Sequence, residues 1–68
     1  LHHMQPGTKV KFLGSPLQDI PARDGVFTIE MYEPAGPVFN THMVALVELK
    51  EGWVPLSSVK RIEDSDNQ

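Results

Sequence analysis

Proline and glycine divide this chain more finely than any helical architecture allows. Pro6-Gly7, Gly14-Ser15-Pro16, Pro21 through Gly25, Pro34-Ala35-Gly36-Pro37 and Gly52 recur along 68 residues. Breakers at this frequency read as turns and leave no stretch that supports an amphipathic helix. The intervening segments are rich in β-branched and aromatic residues, the composition of strands.

Five strands are expected. In 8–13, Val10 and Phe12 alternate with Lys9 and Lys11, the period of a half-buried strand. In 26–32, Phe27, Ile29 and Met31 share one face and Thr28 and Glu30 the other. In 42–49, Met43, Ala45, Val47 and Leu49 share a face and are assigned to the core, which turns Val44, Leu46 and Glu48 outward. Short strands follow at 53–55 and 59–62, with one 3₁₀ turn expected within 55–58. A chain this short has room for one domain with one core. The expected fold class is therefore all-β, a single bent sheet curled on itself as a small five-stranded barrel.

Composition removes several classes of function. There is no cysteine, which excludes disulfides and thiolate metal sites and fits a reducing compartment. Leu1, His2 and His3 read as a cloning remnant ahead of Met4. Only His42 then remains, too few for a histidine metal site. No apolar run approaches the ~20 residues of a membrane-spanning helix, and no signal-peptide pattern follows Met4. The expectation is a soluble cytoplasmic domain, or one excised from something larger, over 4–63 with a disordered acidic tail at 64–68, needing no cofactor, metal or membrane. The net charge of −3 argues against general nucleic-acid binding.

Gly52-Trp53-Val54-Pro55-Leu56-Ser57-Ser58-Val59 resembles the closing segment of Src-homology-3 domains, which reads glycine, often tryptophan, an aliphatic residue, proline, two variable residues, tyrosine, valine. Gly52, Trp53, Val54, Pro55 and Val59 fit, as does Ala45 at the family's small third-strand position. The likeness covers roughly the last third of the chain and implies the barrel. Pro6-Gly7-Thr8-Lys9-Val10-Lys11 looks like the opening strand of many bacterial barrels of that shape. The aromatic groove for proline-rich ligands is missing: His42 stands near the family's tryptophan and Ser58 at its last tyrosine. Polyproline peptides dock on such rings, so the resemblance supports the fold and counts against the usual ligand. Type II dihydrofolate reductases are a second comparison. Their tetramer-pore motif Val-Gln-Ile-Tyr is replaced here by Gly52-Trp53-Val54-Pro55, and no catalytic residue carries over.

The surface candidates each have a plain alternative. Trp53 is either an exposed interface anchor or a ring covering one end of the core. Val44 and Leu46, if outward, either meet a partner or lie under a loop from Pro16 to Ala22 bearing Leu17 and Ile20. Lys9, Lys11, Lys60 and Arg61 either track phosphates or form a solvated strand edge with Glu63, Asp64 and Asp66 nearby. Tyr32 to Pro37 is a semi-rigid recognition loop or a connector. His42 has no serine, cysteine or second histidine beside it, so no catalytic residue is assigned. The leading expectation is a non-catalytic module, bacterial or mobile-element in character, that binds protein or self-associates through Trp53, Pro55, Val44, Leu46 and Tyr32. A nucleic-acid-binding barrel using the four basic residues comes second, and an oligomeric pore enzyme of the reductase kind third.

Overall fold

A computed structural model describes residues 4–62; the expected leader at 1–3 and acidic tail at 64–68 lie outside the described residues. The chain folds as expected into an all-β domain of five antiparallel strands. These are β1 (Lys9–Phe12), β2 (Arg23–Glu33), β3 (Met43–Leu46), β4 (Trp53–Pro55) and β5 (Val59–Arg61). They form one sheet in the order β4-β3-β2-β1-β5. Two single 3₁₀ turns complete it: the expected one, at Leu56–Ser58 between β4 and β5, and another at Pro16–Gln18. No pairing joins β4 to β5 among the described residues, so the sheet is bent but open between its edges.

The core lies on one side of this sheet. Val10, Phe12, Phe27, Ile29, Val44, Leu46, Leu49, Val54 and Val59 fill it, joined by Ile20 from the loop after β1. Val10 and Phe12 are inward as the alternation requires, and the Phe12 and Phe27 rings meet at 5.8 Å between centroids.

Gly14 turns the chain out of β1. Its φ is +97°, and a Cβ there would lie 2.9 Å from the backbone nitrogen of Ala22. Only glycine suits both the conformation and the approach. The loop then closes on itself: Ser15 and Ile20 exchange backbone hydrogen bonds of 2.8 and 3.1 Å. This loop contributes Ile20 to the core, while Leu17 at its tip is 91% exposed.

The facing of β3 corrects the sequence expectation. Val44 and Leu46 are 0% and 2% exposed and belong to the core, whereas Val47 is 60% exposed. Met43 and Ala45 take the outer face. The alternation was read correctly, but both parities of this strand are apolar, so the pattern did not say which one faces inward. Leu49 still reaches the core because β3 ends at Leu46 and the chain turns there. Met31 corrects likewise. The β2–β3 register pairs Ile29 with Leu46 but Met31 with Ala45, so one extra residue, Glu30, bulges from β2. A bulge advances the strand by one residue and reverses its facing, sending Met31 out and Tyr32 toward the core.

Candidate functional site

The register places two cross-strand rows on the outer face of β2, β3 and β4. Met31, Ala45 and Trp53 form one; Glu33, Met43 and Pro55 form the next. Val47, in the turn after β3, is exposed as well. Met31 is 51% exposed and Val47 60%, with Met43, Ala45, Trp53 and Pro55 half-buried. Phe39, from the loop after β2, packs on Trp53 with ring centroids 5.7 Å apart. The Trp53 carbonyl accepts a hydrogen bond of 2.8 Å from the Gln18 amide. Trp53 is thus held in place on both sides while its ring stays half-accessible, which combines the two readings the sequence left open.

Beside Met31 the surface dips into a groove of about 520 Å³ between residues 4–6 and β2, lined by Met4, Gln5, Pro6, Glu30, Met31 and Tyr32. All three methionines of the chain therefore lie on this face or in its groove. Methionine's flexible, polarizable side chain suits surfaces that adapt to partners, and tryptophan with methionine is the enriched composition of interface cores.

The loop from Pro34 to Thr41 is folded back rather than free. Tyr32 and His42 stack with centroids 5.8 Å apart and ring planes within 8°. The Tyr32 hydroxyl lies 2.7 Å from His42 Nδ1, and the Ala35 N–H donates to the same nitrogen at 3.3 Å. Gly36 N–H donates to the Phe39 carbonyl at 2.7 Å, which helps present Phe39 to Trp53. Tyr32 is consequently a partly buried anchor of this loop, and His42 its acceptor.

Charge is divided over the sheet. Three of the nine acids, Glu63, Asp64 and Asp66, follow Ile62, so residues 4–62 hold six acidic and six basic groups and no net charge. Four of the six basic residues lie on β1 and β5, which are neighbours as expected. Lys11 faces Lys60 directly on the outer side, while Arg61 is opposite Val10. Lys9 is drawn away from that cluster: its Nζ donates to the Thr28 hydroxyl at 2.9 Å, and that hydroxyl donates to Glu48 at 2.9 Å. The second Glu48 oxygen accepts the Thr28 backbone N–H at 2.7 Å. This backbone donor is the main reason the Glu48 carboxyl is held below its ordinary pKa, with the hydroxyl and Lys9 adding to it. Glu30 and Glu33, by contrast, border the apolar rows with no ion pair among the described residues. Arg23–Glu51, at 2.6 Å, is the one salt bridge among the described residues.

The sequence-derived contact set is split by these findings. Trp53, Pro55 and Tyr32 border the outer surface, but Val44 and Leu46 are core residues and cannot touch a partner. Met4, Met31, Met43, Val47 and Phe39 were missed as contacts. The run of apolar residues at both parities of 42–49 was the available signal for Met43 and Val47. Among the described residues no helix is long and apolar enough to cross a membrane, and no group of three His, Cys, Asp or Glu is placed to hold a metal. No protein-family model, curated protein or solved structure matches the chain.

Proposed function

We propose that this domain is a non-catalytic protein-interaction module, a diverged Src-homology-3-like fold, whose working surface is the outer face of β2, β3 and β4. The observation that carries this reading is the strand with two apolar sides: Val44 and Leu46 complete the core, and Met43, Ala45 and Val47 remain outside it. An apolar outer row flanked by a fixed tryptophan has the make-up of an interface anchor rather than of an ordinary solvated sheet face. The strand order and the 3₁₀ turn before β5 support the kinship. Ser58, at the position of the family's last groove tyrosine, is 3% exposed, and His42 is taken up by Tyr32, which supports a working surface other than the proline-peptide groove. The cysteine-free composition supports a cytoplasmic setting.

The test is Ala45→Arg, which sets a charged side chain between Met31 and Trp53 on a face outside the core. Circular dichroism should show the fold retained, and sedimentation combined with partner capture should show association lost. Unchanged association in the folded variant overturns the reading. Sedimentation of the wild type over a range of concentrations separates a second copy from a different partner.

A further inference from the structure

We infer that the partner this face accepts is an extended apolar peptide segment carrying lysine or arginine. The inference rests on the outer face being the working surface, and adds the chemistry of its occupant. The apolar rows are bordered by acids on their β2 side. Glu33 stands in line with Met43 and Pro55. Glu30, pushed out by the bulge, lines the groove with Met4, Met31 and Tyr32. Neither carboxylate has a basic partner among the described residues, whereas the other two glutamates there are engaged, Glu48 by Thr28 and Glu51 by Arg23. Of the basic residues with no hydrogen bond or ion pair among the described residues, Lys11, Lys60 and Arg61 lie on β1 and β5, and Lys50 in the turn before β4. A segment seated on Met31, Ala45 and Trp53 therefore meets uncompensated negative charge along the β2 side of its footprint. Apolar side chains would supply the buried contact, and flanking cations would fix orientation and favour this class of partner over acidic ones.

Three synthetic peptides with one alternating valine–leucine pattern test this, with the intervening positions lysine, serine or glutamate. Each is titrated into the full chain while the methionine methyl and Trp53 indole signals are followed by NMR. The lysine peptide should shift Met31, Met43 and Trp53. It should bind roughly five- to tenfold more tightly than the serine peptide at low salt, the size expected of two partly exposed ion pairs, and the advantage should shrink as salt screens them. In the Glu30→Gln, Glu33→Gln double variant the two peptides should bind alike. Equal binding of all three peptides at Met31, Met43 and Trp53 would overturn the charge preference and leave the apolar interface standing. Silence at those signals with every peptide would remove both. Shifts of the same signals on concentrating the chain alone would assign the face to a second copy and overturn the basic-peptide inference.

Discussion

Val44 and Val47 allow the facing of β3 to be tested with one substitution made twice. Val44 is fully buried and Val47 is 60% exposed. Replacing Val44 by alanine deletes two methyl groups from the core. At ~0.8 kcal/mol of transfer free energy per buried carbon, plus a cavity that the rigid sheet only partly closes, the loss is about 2–3 kcal/mol. A domain of this length holds only about 3–10 kcal/mol in total. The melting temperature of Val44→Ala should therefore fall by roughly 10–20 °C. The same change at Val47 removes contacts that water already shares, and should cost less than about 0.5 kcal/mol. Urea unfolding followed by Trp53 fluorescence and by circular dichroism gives both values, with coincident transitions confirming two-state behaviour. Equal losses, or a larger loss at Val47, would refute the assignment of Val44 and Leu46 to the core, and with it the outer apolar face.

Two further outcomes follow from local geometry. Gly14→Ala forces a Cβ onto the Ala22 backbone at positive φ; it should destabilise by about 2 kcal/mol or more, measured in the same urea assay, and a neutral result would mean the loop does not pack as described. Glu48 has a lowered folded-state pKa, so its stabilising contribution is complete above the unfolded glutamate value of ~4.3 and is lost as pH falls through the lower folded value. Glu48→Gln should flatten the decline in urea midpoint between about pH 5 and about pH 3; an unchanged slope would show that the Thr28 contacts carry no weight.

Much of the fold was legible because local and global signals agree. Alternation in 8–13 set the facing of Val10 and Phe12, and the Gly52-to-Val59 segment located β4, the 3₁₀ turn and β5. The facing of β3 was not legible, because Met43, Ala45 and Val47 are as apolar as Val44 and Leu46 and period alone treats them alike. Only the partners across the sheet, Ile29 and Val54, decide it. The Glu30 bulge was equally hidden, since nothing in Ile29-Glu30-Met31 distinguishes a bulged strand from a regular one. Those two points reversed the expected surface. The idea that β3 has a second apolar side outlasted the correction, but the residues that form that side changed. Phe39 and Gln18 escaped notice because their contacts with Trp53 cross loops distant in sequence.

The most direct measurement exploits the placement of the three methionines. Photoreactive methionine incorporated throughout the chain puts crosslinkers only on this face and its groove. Irradiation with the lysine-bearing peptide should give adducts mapped by mass spectrometry to Met31 and Met43, and these should vanish in Ala45→Arg. Adducts that persist in that variant, or a bound peptide that leaves Met31 and Met43 unlabelled, would contradict the outer face of β2, β3 and β4 as the working surface of this protein.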